Sequence, residues 1–152
     1  MIVNEIMKKK VATCGPQDDL ATAARIMHER HCGFVPVVDS DGAVAGVLTD
    51  RDVCLHTAAK SRLMTHLRVQ DVMSHPVFGC FADENVKTTI TTMAKHRVRR
   101  LPVLDTRGHL QGVLSIDDVI QAPRGQGAPT AEDIVAALKD ISAPRPIETV
   151  SA

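Results

Sequence analysis

An internal repeat constrains the fold of this chain more than any other feature of its sequence. Residues 36–53 read PVVDSDGAVAGVLTDRDV and residues 102–119 read PVLDTRGHLQGVLSIDDV, a shift of 66 positions (36 to 102). The same shift aligns Cys14 with Cys80, and it holds without a gap from residue 3 to residue 54. A single register over this length indicates a tandem duplication followed by a C-terminal tail.

Each copy is predicted to have the element order helix, strand, helix, strand, strand, helix. Apolar residues at helical spacing mark the helix before the hairpin, with acidic residues Asp18 and Asp83 near its start. The two stripes are Leu20, Ala24, Met27 and His31, and Val86, Ile90, Met93 and Arg97. The strands Phe34–Val38 and Val44–Thr49, and Arg100–Leu104 and Leu110–Ser115, are joined by turns ending in Gly42 and Gly108. A second helix starts at Asp50 in the first copy and at Ile116 in the second.

These signals divide the chain into repeat 1 (1–60), a linker (61–68), repeat 2 (69–122), and a Pro/Gly-rich spacer with a tail helix (123–152). One repeat of this size buries only a thin core, so we expect an α/β fold in which the repeats pack through their sheets. In the tail helix, Thr130 is the expected N-cap and Ile134, Leu138 and Ile141 form an apolar face, with Pro144 and Pro146 ending the helix. That face would pack on its own domain or on a second subunit.

The composition argues against several classes of function. The chain has 18 basic and 18 acidic residues, no Trp or Tyr and three Phe, which makes nucleic-acid binding through Arg97, Arg99 and Arg100 unlikely. It has no apolar run long enough for a membrane span and no signal peptide, which favours the cytoplasm. The four cysteines form no C-x-x-C pair and are expected to be reduced and mostly buried. His28, His31 and Cys32 lack further ligands at metal-binding spacing, and no catalytic constellation is evident, so we expect neither a metal site nor an enzyme.

One polar pair recurs at the same place in both copies, where a strand leads into a helix. Thr49 and Asp52 occupy this place in repeat 1, and Ser115 and Asp118 in repeat 2. A helix N-terminus attracts phosphate, and a carboxylate can hold ribose hydroxyls. The same residues, together with Asp50, would equally serve as N-caps and first-turn acids. The residues alone leave both interpretations open.

The doubled pattern h-P-V-[VL]-D, turn, G-V-L-[TS]-x-x-D-V resembles a pair of cystathionine-β-synthase (CBS) domains, the Bateman module. The resemblance covers residues 1–122, and the chain is similar to small stand-alone bacterial pairs. It implies two pseudo-symmetric repeats, clefts between them that bind adenine-containing ligands, and association of two modules into a disc.

The resemblance also implies roles for individual residues. Asp52 and Asp118 match ribose-binding aspartates, Thr49 and Ser115 their hydroxyl partners, and Val47 and Val113 the lining of the base slot. Ala12 and Phe78 match positions in the first strand of each repeat, whose backbone meets the base edge. In the family this strand usually comes from the opposite repeat. The resemblance therefore assigns Ala12 to the Asp118 cleft and Phe78 to the Asp52 cleft. Arg99 and Arg100 match phosphate-holding positions, although a solvated, salt-bridged face is the alternative.

The two clefts are expected to be unequal. Repeat 1 has Gly33 and Phe34 where repeat 2 has Arg99 and Arg100, and it has Arg51 beside Asp52. Repeat 2 instead has Asp117 beside Asp118, and this second carboxylate would repel a phosphate unless an arginine or a metal intervenes.

These features predict a non-enzymatic regulatory module that binds AMP, ADP, ATP or S-adenosylmethionine and has no obligatory cofactor. Ligand occupancy would be read by a partner enzyme or transporter, and the protein would form a homodimer. The alternative is a ligand-free interaction or stress-associated scaffold that acts through its dimer surface.

Overall fold

The two repeats have the predicted mixed α/β fold in the computed structural model, which describes residues 1–144. The predicted order of elements is wrong at two places: the first strand of repeat 1 is reduced to a single bridge between Cys14 and Val37, and the first helix of repeat 2 is a 3₁₀ turn. Repeat 1 contains α1 (Val3–Ile6), α2 (Leu20–Glu29), β1 (Phe34–Val38), β2 (Val44–Thr49) and α3 (Asp50–Lys60). Two 3₁₀ turns, Met64–His66 and Val69–Asp71, follow. Repeat 2 and the tail contain β3 (Cys80–Phe81), α4 (Val86–His96), β4 (Arg100–Leu104), β5 (Leu110–Ser115), α5 (Ile116–Gln121) and α6 (Ala131–Ile141). No helix among these is long and apolar enough to cross a membrane.

The two hairpins have the strand bounds that the sequence predicts. β1 and β2 are antiparallel with Phe34 opposite Thr49, and β4 and β5 are antiparallel with Arg100 opposite Ser115. Both turns reach a positive φ at a glycine, 86° at Gly42 and 81° at Gly108. Because glycine adopts this conformation without steric cost, the turn chemistry determines the hairpin register.

The ends of the long helices differ from the expectation. The N-cap of α2 is Asp19, whose carboxylate accepts the N–H of Thr22 at 2.7 Å, whereas Asp18 accepts the N–H of Gly15. The last residue of each predicted apolar stripe lies beyond its helix: His31 is exposed with φ 49°, and Arg97 is the left-handed C-cap of α4 with φ 52°. Each helix therefore ends before the last residue of its predicted stripe. Asn85 caps α4, and Asp83 lies two residues before it, near the helix start as predicted.

The chain crosses between the two sheets at the start of each repeat. The N–H of Lys8 donates to the carbonyl of Val113 in β5, and the N–H of Val113 donates back, both at 2.9 Å. The equivalent residue Ser74 pairs with Val47 in β2. We call residues 8–14 and 74–80 the crossing segments, because their far ends, at Cys14 and at β3, pair with their own repeat's sheet.

This crossing exchanges core residues between the repeats. Val3 of α1 is fully buried in the core of repeat 2. Leu67, Val69 and Val72, which precede the second crossing segment, are buried in the core of repeat 1. The repeats also meet at their hairpin ends, where the N–H of Val44 donates to the carbonyl of Gly108 at 3.0 Å. Neither repeat therefore completes its core without the other.

The tail helix α6 packs on repeat 2 of its own chain. Its residues Ile134, Ala137 and Ile141 join the core that contains α4, with Leu138 partly buried against it. Thr130 is the N-cap, as the sequence predicts, and Asp133 pairs with Lys87 of α4 at 3.1 Å. Pro146, expected to help end this helix, lies outside the described residues.

The cysteines are less buried than expected. Cys14 and Cys80 are buried, Cys32 is half-buried and Cys54 is exposed, and all four are free thiols. Within residues 1–144, no three His, Cys, Asp or Glu side chains lie together as a metal site would require.

Candidate functional site

The recurring polar pairs form a capping box at the start of the helix after each hairpin. In repeat 1, the N–H of Asp52 donates to Thr49 Oγ1 at 3.1 Å. The N–H and the hydroxyl of Thr49 both donate to Asp52 Oδ2, at 3.0 and 2.7 Å. All the capping bonds to this half-buried carboxylate use one oxygen. Within residues 1–144, Oδ1 of Asp52 has no hydrogen-bond or ionic partner.

Repeat 2 has the same capping box and one additional charge. Oδ2 of Asp118 accepts the N–H of Ser115 at 2.9 Å and its hydroxyl at 2.5 Å. Oδ1 of Asp118 lies 3.3 Å from Nζ of Lys8, which belongs to the first crossing segment. Both pairs are therefore confirmed as helix caps. The capping bonds use only one of the two oxygens of each carboxylate.

The three arginines of repeat 2 have separate surroundings. Arg97 donates from its guanidinium to the carbonyl of Pro144 at 2.8 Å, so it links the end of α4 to the residues that follow α6. Arg100, half-buried, lies 3.9 Å from Asp117. Arg99 is exposed and makes no side-chain hydrogen bond or ion pair within the described part of the chain. Arg100 thus lies beside Asp117, where its charge can offset the repulsion between the Asp117 carboxylate and a phosphate.

At the same place in repeat 1, a glycine lies against the carboxylate of Asp50. A Cβ built on Gly33 would lie 2.5 Å from Oδ2 of Asp50, and the N–H of Asp50 donates to the carbonyl of Gly33. Arg51 is exposed beside Asp52. The two repeats therefore differ at this place in their charged side chains, with Asp50 and Arg51 in repeat 1 and Arg99, Arg100 and Asp117 in repeat 2.

The predicted base-contacting residues lie on the crossing segments and on the strands they pair with. Val47 and Val113 are the strand residues that hydrogen-bond Ser74 and Lys8. Ala12 packs partly buried against the core of repeat 1. Phe78, with 41% of its surface exposed, stacks on His96 with ring centroids 3.6 Å apart.

Two residues at this site were not predicted from the sequence. Lys8 is part of the run Lys8-Lys9-Lys10. It lies near Asp118 only because the chain crosses from one sheet to the other at this point. His96 stacks with Phe78, a contact that leaves no signal in the sequence. An apolar groove of about 660 Å³ lies between α2 and α3 and contains none of the predicted ligand-binding residues.

The repeat unit matches a known family and its solved structures. The CBS domain model matches residues 3–57 and 69–125. The CBS domain-containing protein YhcV of Bacillus subtilis is 33% identical over 117 residues, which are 77% of this chain and 81% of that protein. The chain spans only 61% of another curated relative, from Methanopyrus kandleri.

Two solved structures have the same fold. The CBS domain pair of protein MJ0100, in complex with 5′-methylthioadenosine and S-adenosyl-L-methionine, superposes with a TM-score of 0.73 at 22% identity, covering 80% of this chain and 94% of that one. CBSX2 in complex with AMP superposes with a TM-score of 0.69 at 22% identity, covering 79% and 93%. Both family matches fall on the repeats that exchange their crossing segments, and the chain therefore belongs to the CBS domain family as a tandem pair of CBS repeats.

Proposed function

We propose that this protein is a non-enzymatic regulatory module that binds an adenosyl ligand, AMP, ADP, ATP or S-adenosylmethionine, at the two capping boxes. The ligand ribose would contact Asp52 in one cleft and Asp118 in the other. No obligatory cofactor enters this function.

The proposal rests on one observation: the capping box uses one oxygen of each aspartate carboxylate and leaves the other oxygen outside the cap. Oδ2 of Asp52 completes the capping box, while Oδ1 is left without a partner among the described residues. A half-buried carboxylate oxygen that keeps its acceptor capacity is a good partner for a hydroxyl donor, because charge-assisted hydrogen bonds are the stronger ones. The capping bonds hold the carboxylate in place before a ligand arrives, which reduces the entropic cost of binding.

The surroundings supply the other contacts that a nucleotide needs. Arg51, Arg99 and Arg100 are exposed or half-buried cations for a phosphate, and Arg100 lowers the negative field of Asp117. Val47 and Phe78 offer apolar surface for a base. The solved pairs with S-adenosyl-L-methionine and with AMP support this ligand class.

Calorimetric titration of AMP, ATP and S-adenosylmethionine tests the proposal. Asp52→Asn and Asp118→Asn keep the side-chain shape and remove the charge, and each is expected to weaken binding at one cleft by about tenfold or more. Asp133→Asn is the matched control, because Asp133 occupies the same capping-box position in α6, where Lys87 of α4 pairs with it.

Equal binding by the wild type and both cleft variants would contradict the site. A loss of binding shared by Asp133→Asn would indicate an effect of helix capping on stability. Ligand binding would be read out as a change in the balance of two conformations of the repeats, to which a partner enzyme or transporter in the cytoplasm responds.

A homodimer is part of this proposal, and the apolar groove of repeat 1 supports it. α6 covers α4 in repeat 2, whereas the groove between α2 and α3 is open. Leu55 of α3 and Leu63 of the linker that follows it are 50% and 66% exposed. A second copy of this chain would bury such a face. Light scattering is expected to show a dimer that Leu55→Lys weakens, and a monomeric wild type would contradict it.

The same groove favours the second candidate, a scaffold that acts through its surface without a ligand. Chromatography of the denatured, freshly purified protein separates the two functions. Released adenine nucleotide supports the sensor, whereas a dimer without nucleotide and without any response to titrated ligands supports the scaffold.

A further inference from the structure

Lys8 is held in a fixed place beside Asp118. Its N–H and carbonyl both bond to Val113 at 2.9 Å, which fixes its backbone against β5. A Cβ on Gly112 would lie 2.6 Å from the carbonyl oxygen of Lys8, so the glycine is what permits this close approach. The position of the lysine is therefore built into the crossing of the chain.

The Lys8 ammonium occupies the oxygen that the capping box leaves available. It lies 3.3 Å from Oδ1 of Asp118, whose side chain is 12% exposed, while the lysine side chain is 71% exposed. Because the lysine side chain is largely exposed, its ammonium stays solvated and can move away from Asp118 at little cost. A ribose hydroxyl that takes Oδ1 would therefore displace the ammonium without displacing the backbone that carries it.

The equivalent place in the other cleft has no charge. Ser74 pairs with Val47 through hydrogen bonds of 2.8 and 3.1 Å, as Lys8 pairs with Val113, but its side chain is neutral. The described residues include no cation paired with Asp52. At positions 8 and 74, the two clefts thus share the same backbone pairing and differ by one positive charge.

We propose that Lys8 makes the Asp118 cleft selective for phosphorylated adenosyl ligands over uncharged or cationic ones. This inference rests on the proposed function, because it requires the ribose at Asp118. Once displaced from Oδ1, the ammonium needs a new anion to keep its charge compensated, and a phosphate on the same ligand provides one. An uncharged nucleoside provides none, and a sulfonium is repelled. The Asp52 cleft has Ser74 at the matched position, so it lacks this particular source of selectivity.

The test compares AMP with adenosine and S-adenosylmethionine by calorimetry in an Asp52→Asn background, where the Asp118 cleft is the one under observation. Lys8→Met is expected to lower the AMP affinity about tenfold, the effect of losing one charge-assisted contact, with adenosine binding unchanged or tighter. Lys8→Arg is expected to keep the preference for AMP. Lys87→Met is the control, because Lys87 pairs with the equivalent carboxylate in α6.

The possible failures are distinguishable. If the Asp52→Asn protein binds AMP and adenosine with a ratio of affinities that Lys8→Met leaves unchanged, the inference is overturned while the ribose site stands. If wild-type protein binds no adenosyl ligand, the proposed function fails and this inference fails with it. A loss of the AMP preference in Lys87→Met would also overturn it, because a remote charge would then suffice.

Discussion

The backbone of Ser74 pairs with that of Val47 in both directions, with hydrogen bonds of 2.8 and 3.1 Å. Sixty-six residues separate Ser74 from Lys8, and Lys8 pairs in the same way with Val113. One residue from the start of each repeat thus pairs with the edge of the other repeat's sheet. The exchange makes the two repeats one cooperative unit, because a shift in either crossing segment disturbs both sheets.

The close approach of the first crossing segment predicts a large effect for Gly112→Ala. The added Cβ would lie 2.6 Å from the backbone carbonyl of Lys8, so the segment must move. We expect urea denaturation to show a loss of about 1–3 kcal/mol in unfolding free energy. Gly46→Ala should cost less, since its nearest obstacle is the flexible side chain of Met73.

Gly125→Ala is the control for this prediction. A Cβ there meets nothing within 4 Å, so its effect should stay within about 0.5 kcal/mol. Equal unfolding free energies for Gly112→Ala and Gly125→Ala would contradict the tight contact.

The docking of α6 predicts that the tail contributes to the stability of repeat 2. Ile134 is 4% exposed in the shared core, and Ile134→Ala should lower the unfolding free energy by about 2–4 kcal/mol. Val135 is 65% exposed on the same helix, and Val135→Ala should change it by less than about 0.5 kcal/mol. A similar loss for both variants in urea denaturation would refute the packing of this face.

The pKa of the Asp133 carboxyl gives a pH dependence with a defined sign. The N–H of Thr130 and then the Lys87 ammonium hold this pKa below its usual 3.8. A lowered folded-state pKa stabilises the protein above pH 3.8, and the contribution is lost as the pH falls through the folded-state value. Thermal denaturation should therefore find Asp133→Asn less stable than wild type at pH 7 and nearly equal to it at the acid end. The uncharged variant Val135→Ala on the same helix should differ from wild type by the same small amount at every pH.

The buried thiols should differ from the exposed one in reactivity. Burial, with smaller contributions from Asp18 and Glu84, raises the pKa of Cys14 and Cys80 to about 12. Because the thiolate is the reactive form, alkylation of the native protein at pH 8 should label Cys54 first and spare both buried thiols. Mass spectrometry of the labelled peptides checks this order.

The same shift has a consequence for stability. A raised folded-state pKa stabilises the protein below the usual thiol value of 9.0, and the contribution is lost as the pH rises towards about 12. The wild type should therefore lose stability over this range more steeply than Cys80→Ala, while Cys54→Ala should follow the wild type. Parallel curves for all three would contradict the assignment.

Much of the secondary structure could be predicted from local chemistry. All four hairpin strands have the expected bounds, because alternating apolar residues and a glycine turn specify a hairpin within about fifteen residues of chain. The capping pairs at Asp52 and Asp118 were found for the same reason, since a cap involves residues three apart. The helix ends at His31 and Arg97 were predicted too far along the chain, because periodicity does not indicate where a helix stops.

The sequence by itself determined the duplicated unit, its hairpins, its capping boxes and the position of the tail helix. Only the tertiary structure decided that Val3 lies in the core of repeat 2, that α6 packs on α4, and that Lys8 meets Asp118. An apolar stripe shows that one face of a helix is buried, but it does not indicate which surface covers that face. The periodicity of α6 was therefore compatible with packing on its own domain and with packing on a second subunit. An ion pair between residues this far apart in the chain depends on how the strands cross, which is a property of the packed sheets rather than of any local segment.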